Sequence, residues 1–264
     1  MPETPASAEP RSYSPERDIH TAEPPLRGKR ILVTGGTTGI GRALAALLAA
    51  DGARVFVFGR HAPELRDALD RIRDVGGVGE GMVADQALAG DVDRVFAAVD
   101  QAFGGVDAVV INAAISSGKL AEAKESDWRY VVETNLAGYI AVAQEAVWRL
   151  DGRDGDPQIV LVGSISADAE GRGSPIYAAT KGGVRAFAKA LRKEVAGKGI
   201  RVSLVEPGTV GTDMHRAPPS EQRARIHRHE ILRAEDIAVA IRYILTQPPR
   251  CTVTLLRVEP RLQA

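Results

Sequence analysis

Seven short apolar runs, most of them rich in β-branched residues, recur along the chain with helical patterns between them. That rhythm limits the fold more than any other feature. The runs cover residues 30–34, 54–58, 81–84, 107–111, 158–162, 201–205 and 252–258. Most are apolar at successive positions rather than alternate ones, which is how a parallel strand covered on both faces reads. Between them lie apolar stripes at helical spacing: Ile40, Ala43, Leu44, Leu47 and Leu48; then Leu65, Ala68, Leu69 and Ile72; then Val92, Val95, Phe96 and Val99. Strand, helix and strand in this order make repeated βαβ units, and right-handed crossovers stack the helices on both faces of one sheet. The expectation is a doubly wound parallel α/β sheet in three layers, built as a single domain over residues 29–264.

Residues 1–28 break the rhythm. Six prolines (Pro2, Pro5, Pro10, Pro15, Pro24 and Pro25) stand among Ser and Glu. Such a segment buries too little to offset its ordering entropy, so a flexible tail is expected. An arm over a neighbouring subunit, anchored by Tyr13, Ile19 and Leu26, is the alternative. Across all 264 residues, 34 Lys+Arg balance 34 Asp+Glu. This neutrality argues against a nucleic-acid or membrane-surface partner, which calls for a basic excess. The single cysteine, Cys251, excludes an intrachain disulfide and a cysteine-cluster metal site. No apolar run approaches the roughly 20 residues needed to span a bilayer. The opening MPETPASAEP has neither the basic start nor the apolar core of a secretory signal. A cytoplasmic protein is expected.

Folds of this kind bind ligands beyond the carboxyl ends of their strands. The first run leads into Thr34-Gly35-Gly36-Thr37-Thr38-Gly39-Ile40-Gly41, where a helix begins. Glycines at 35, 39 and 41 allow a tight turn and a close approach of backbone to a pyrophosphate, which the helix N-terminus then faces. The second run leads to Arg60, where a dinucleotide fold reads the adenosine ribose. An acidic residue there would select NAD; an arginine can pair with a 2′-phosphate instead. NADP(H) is therefore favoured and NAD(H) kept as the open alternative, with Arg60 then a solvated loop residue.

Tyr177 and Lys181 lie four apart in a helical pattern, on one face. A phenol ionises near pH 10, so acid–base work near neutrality asks for roughly 4 kcal/mol of help. An ammonium one turn away supplies part of it. Ser164 follows the fifth run, 13 residues before Tyr177, at the same edge as the glycine loop. Its hydroxyl can hold a carbonyl against the phenol.

Together these pieces resemble the short-chain dehydrogenase/reductase family, in its compact single-domain form. The resemblance rests on Thr34–Gly41 (TGxxxGxG), Asn112-Ala113-Ala114, Asn135 within Thr134–Gly138, Ser164, Tyr177-x-x-x-Lys181 and Pro207-Gly208-Thr209, in the family's order. It implies a Rossmann-type fold and hydride transfer between a nicotinamide cofactor and a carbonyl/secondary-alcohol pair. It also implies roles. Tyr177 would be acid in reduction and base in oxidation; Lys181 would lower its pKa and hold the nicotinamide ribose; Ser164 would orient the carbonyl. Asn135 would hold, through its main chain, a water linking Lys181 to solvent. The cofactor wall would comprise Gly35, Thr37, Thr38, Gly39, Ile40, Gly41, Arg60, Asp85, Gln86, Asn112, Pro207, Gly208, Val210 and Thr212, with Tyr177 and Lys181. A homo-tetramer or homo-dimer is implied as well.

Three departures stand out. Ala114 occupies a place where the family commonly has Gly. Thr38 stands where NADP-using members often carry a basic residue, so the cofactor preference rests on Arg60. The segment after Met214 is short and basic (Arg216, Arg223, Arg225, Arg228, Arg233) and should form a substrate lid, with an acidic substrate as the minority reading. His227 and His229 read as a solvated helix face rather than metal ligands, and Cys251 as a small apolar group. Trp128, Tyr130 and Trp148, in one long pattern over residues 126–150, read as core or subunit packing. A non-catalytic dinucleotide-binding sensor or scaffold is the competing function, and the intact Ser164, Tyr177 and Lys181 weigh against it.

Overall fold

The structure is a computed structural model and describes residues 26–168, 174–215 and 217–262. The proline-rich residues 1–25, with the expected anchors Tyr13 and Ile19, and Arg216, expected in a substrate lid, lie outside the described residues. Seven parallel strands form one sheet in the order β3-β2-β1-β4-β5-β6-β9: β1 (Arg30–Thr34), β2 (Arg54–Gly59), β3 (Val78–Val83), β4 (Ala108–Ile111), β5 (Gln158–Val162), β6 (Arg201–Pro207) and β9 (Leu255–Val258). Chain order reverses direction across the sheet between β1 and β4, and the crevice for a ligand opens at such a switch point.

Both faces are covered, and alternate residues of each strand divide between two cores. On one face Leu32, Phe56, Val109, Ile111, Leu161 and Leu204 pack with helices α3 (Asp91–Phe103), α5 (Gly138–Leu150) and α6 (Pro175–Glu194). On the other, Ile31, Val33, Val55, Val57, Val110 and Val160 pack with α1 (Gly39–Ala50), α2 (Ala62–Asp74) and α8 (Ala234–Leu245). Every second residue needs an apolar side chain on each face, which is why the runs are continuous. Leu26, read as an anchor for a neighbouring subunit, is instead 2% exposed in this chain's own second core.

The structure departs from the expected strands at the sheet margins. β3 begins three residues before the expected 81–84, because an edge strand is half exposed and lacks the continuous apolar signature. β9 is shorter than 252–258. A two-residue pairing of β7 (Val210–Gly211) with β8 (Leu232–Arg233) was too short to show in a pattern. The helical stretch over 126–150 is two helices, α4 (Glu125–Val132) and α5, joined by a π turn over Glu133–Ala137. α7 (Pro219–His227) follows β7, and His229 just beyond it takes a left-handed conformation that ends the helix.

One buried ion cluster ties the catalytic side together. Glu206, 1% exposed near the end of β6, accepts two hydrogen bonds from Arg185 of α6, from Nε at 2.5 Å and from Nη2 at 2.7 Å. The same guanidinium binds Asp168, which also pairs with Arg257 of β9 at 2.7 Å. A carboxylate this deep is tolerable because it is forked and fully hydrogen-bonded. Arg185 lies one turn beyond Lys181, and Asp168 four residues beyond Ser164, so the cluster fixes α6 against the strand tips. Removing one partner of a buried pair leaves the other uncompensated, so Glu206→Ala should cost about 3 kcal/mol of stability. Glu206→Gln, which keeps an acceptor, should cost less. Urea unfolding of the two variants checks this.

Candidate active site

The glycine loop is built by close approach. Gly35 has φ +61°, and a Cβ there would lie 2.7 Å from the Cα of Ala113. A side chain on Gly41 would collide with the Gly35 carbonyl and come within 2.7 Å of the Asn112 amide. The tips of β1 and β4 are thus drawn together, and polar bonds hold them. The Thr34 hydroxyl accepts from the N–H groups of Asn112 (3.0 Å) and Ala113 (2.9 Å), and the Asn112 amide donates to the Thr34 carbonyl at 3.0 Å. Thr38 gives α1 no side-chain cap, which leaves the first N–H groups of the helix available to an anion.

From this loop one cleft of about 310 Å³ runs across the strand tips. It is lined by Gly35, Thr37, Thr38, Gly39, Ile40, Arg60, Asp85, Gln86, Asn112, Ser164, Tyr177, Lys181, Pro207, Gly208, Val210 and Thr212. Two expected residues are not in its wall. Gly41 lies behind the loop, where the lack of a side chain lets Gly35 and Asn112 approach. Asn135 is fully buried at the π turn, and its side chain clamps Ile115: Oδ1 accepts from the Ile115 N–H and Nδ2 donates to the Ile115 carbonyl, both at 2.9 Å. It acts on the loop after β4 rather than facing the cleft. Gln86 braces the wall, donating to the carbonyls of Thr134 (2.7 Å) and Ala113 (3.1 Å).

At the far end stand Ser164, Tyr177 and Lys181. The Ser164 Oγ accepts from the Ser166 N–H at 3.1 Å, and the hydroxyl shares a hydrogen bond with Tyr177. Burial pushes the Tyr177 phenol up to about 12, while the Ser164 bond pulls it the other way. Lys181 is fully enclosed; its Nζ donates to the Val162 carbonyl at 2.9 Å and to the Tyr139 hydroxyl at 3.3 Å. With no carboxylate against it, burial brings the amine down to about 7. The expected lowering of Tyr177 by an adjacent ammonium is therefore not what the protein alone produces. Desolvation acts on both groups and favours their neutral forms.

Several residues of the site escaped the sequence reading. Tyr139 of α5, fully buried, donates to the Val162 carbonyl at 3.0 Å and accepts from Lys181. Tyr130 of α4, expected to be packing, binds both Arg60 and Asp85. Glu206 carried a visible signal, since a charge inside an apolar strand demands a partner. Ile115, Met214 and His215 also line the cleft. His215 faces Arg225 at 3.2 Å and receives the Ala217 N–H at Nδ1; burial, then Arg225, hold its pKa below the ordinary value. In the segment after Met214, Arg225 and Arg228 both pair with Glu230, which offsets part of the positive charge that suggested an acidic substrate.

Known proteins match this architecture. The family model for short chain dehydrogenase matches residues 29–223. A 3-oxoacyl-[acyl-carrier-protein] reductase of Vibrio cholerae is 35% identical over 234 residues, 87% of this chain and 94% of the relative. The reductase of the same name from Escherichia coli is 36% identical over 203 residues, 76% of this chain and 81% of the relative. Among solved structures, a short chain dehydrogenase of Burkholderia cenocepacia in complex with NADP superposes with a TM-score of 0.79 at 31% identity, over 89% of this chain and 97% of that one. The actinorhodin polyketide ketoreductase with NADPH gives 0.77 at 30% identity, over 88% and 96%. The chain belongs to the short-chain dehydrogenase family, nicotinamide-dependent oxidoreductases that interconvert carbonyl and alcohol groups.

Proposed function

We propose that this protein is an NADP(H)-preferring reductase of a small-molecule carbonyl compound, with Tyr177 as the proton donor. The reading is carried by the meeting of Ser164, Tyr177 and Lys181 in one cleft with the glycine loop. The cleft suits a dinucleotide: its floor is backbone that Gly35 brings close, and uncapped N–H groups of α1 face the place for a diphosphate. Arg60 and Asp85 would hold the adenosine end, and Lys181 the nicotinamide ribose. The cofactor, when bound, supplies the hydride.

The chain supplies geometry and the proton. Ser164 donates a hydrogen bond to the carbonyl oxygen and keeps it beside the phenol. Tyr177, with its pKa held near 12, is fully protonated at neutral pH, the state a general acid needs. Asn135 serves by fixing the loop at Ile115, which faces the substrate. NADP(H) is favoured because Arg60 directly follows β2 and makes no ion pair among the described residues. The NADP bound to the Burkholderia dehydrogenase and the NADPH bound to the actinorhodin ketoreductase support the same choice.

Two further parts of the reading concern the assembly and its setting. Ile140 and Trp148 on α5, and Val239 and Tyr243 on α8, are large apolar side chains left exposed. A homo-dimer or tetramer would cover them. No described helix is long and apolar enough to cross a membrane, and we place the enzyme in the cytoplasm.

Tyr177→Phe removes the donor and should lower turnover at least about 100-fold while leaving NADPH binding nearly intact. Steady-state rates at 340 nm and a cofactor titration check both halves. Lys181 gives a stability signature. Its amine is about 7 in the fold against 10.5 for a free lysine, so between these values the unfolded chain binds the extra proton. Stability should therefore rise with pH from about 7 to about 10.5, and the full penalty, a few kcal/mol, should apply below 7. Lys181→Met should abolish turnover, raise the melting temperature at pH 7 and flatten that rise. Thermal melts of both proteins from pH 6 to 10 measure it.

A further inference from the structure

Tyr130 is the residue of the cleft that neither the fold nor the catalytic motif explains. It lies on α4, away from the glycine loop, yet its hydroxyl reaches over the tips of β2 and β3. Arg60 Nη1 donates to that hydroxyl at 2.7 Å, and the hydroxyl in turn donates to Asp85 Oδ2. The guanidinium also sits over the phenol ring, 5.6 Å from its centroid. The other carboxylate oxygen, Asp85 Oδ1, receives the Ala87 N–H at 3.0 Å. Both ends of this bridge, Arg60 and Asp85, line the cleft.

A phenol in this place does something a carboxylate could not. An aspartate or glutamate tied to Arg60 would hold it but cancel its charge. Tyr130 holds the guanidinium by a neutral acceptor and a ring face, so the charge stays available to an incoming anion. It also stands between Arg60 and Asp85, and the two form no direct ion pair. An exposed arginine otherwise loses side-chain entropy when it is ordered on a ligand. Here part of that ordering is already done in the protein.

We propose that Tyr130 is a specificity-determining residue: it positions Arg60 to receive the 2′-phosphate that distinguishes NADP(H) from NAD(H). The proposal rests on the NADP(H) reading above. Arg60 is the anion-binding group, and Tyr130 acts through it as a positioning residue. Asp85, at the other end of the bridge, keeps a second anchor in the Ala87 N–H, so NADH, which lacks the 2′-phosphate, should depend less on Tyr130.

The test uses the full chain and two binding titrations, NADPH and NADH, with 2′,5′-ADP as a third ligand that carries the 2′-phosphate without nicotinamide. Tyr130→Phe keeps the ring and removes only the hydroxyl. It should weaken NADPH and 2′,5′-ADP about five- to ten-fold, the effect of one typical net hydrogen bond, and shift NADH less than two-fold. Adding Arg60→Ala to Tyr130→Phe should cost less than Arg60→Ala costs in the wild type, because the two residues act in series. An equal loss for NADPH and NADH would make Tyr130 a general wall of the site and overturn the proposal. So would an unchanged NADPH-to-NADH affinity ratio, or strict additivity with Arg60→Ala. If the wild type itself binds both cofactors equally, the NADP(H) reading falls and the proposal with it.

Discussion

Everything at the reacting end of this protein is arranged around one carbonyl oxygen, that of Val162 at the end of β5. It receives hydrogen bonds from Lys181 of α6 and Tyr139 of α5, and so fastens two helices to the middle of the sheet. A lysine amine can enter such an interior only if acceptors are ready for it. The sheet supplies one as a strand terminus, where the ladder leaves a carbonyl free. That choice fixes the rest. α6 must lie with Lys181 inward, which sets Tyr177 one turn earlier over the cleft and beside Ser164. The ion cluster of Arg185, Glu206 and Asp168 then locks the same helix one turn later.

The two ends of the cleft use opposite electrostatic strategies. At the catalytic end, desolvation favours the neutral forms of a phenol and an amine, and the chemistry draws on their readiness to exchange a proton. At the adenosine end, Arg60 keeps a full charge near solvent, steadied by a neutral phenol. In a buried setting an unpaired charge costs several kcal/mol, whereas an exposed guanidinium costs little. Arg60 stays unpaired where water can reach it, and charge is disfavoured where water cannot.

Much of this was legible in the sequence because strong physical demands leave strong patterns. Strands covered on both faces must be apolar at every position, so β1, β2, β4, β5 and β6 announced themselves, whereas the half-exposed β3 was misplaced by three residues. The glycine loop was visible because only glycine tolerates the contacts at positions 35 and 41. Tyr177, Lys181 and Ser164 were visible as a set because their spacing follows from one helix turn and one strand end. Gly41 and Asn135, expected in the wall of the cleft, lie behind it. Tyr130 and Tyr139 were not legible as site residues. Each acts on residues distant in the chain, and an aromatic side chain within an apolar helical stripe looks the same whether or not its hydroxyl has a partner. The direction of the Tyr177 shift was also hidden, since it depends on how dry Lys181 is rather than on how near.

Those two tyrosines meet in one further consequence, which concerns the phase of the helical rod they share. Nine residues separate Tyr130 from Tyr139, and nine steps of about 100° in a regular helix would set them on opposite faces. The π turn over Glu133–Ala137 carries one residue more than a regular turn and takes up roughly one such step. Its slack brings the two phenols onto adjoining faces, so that one rod serves Arg60 at one end of the cleft and Lys181 at the other. The extra residue is thus a fixed angular offset between cofactor reading and proton transfer. A sequence that kept every residue there but wound them as a regular helix would still have a good helix and would aim only one of its tyrosines correctly.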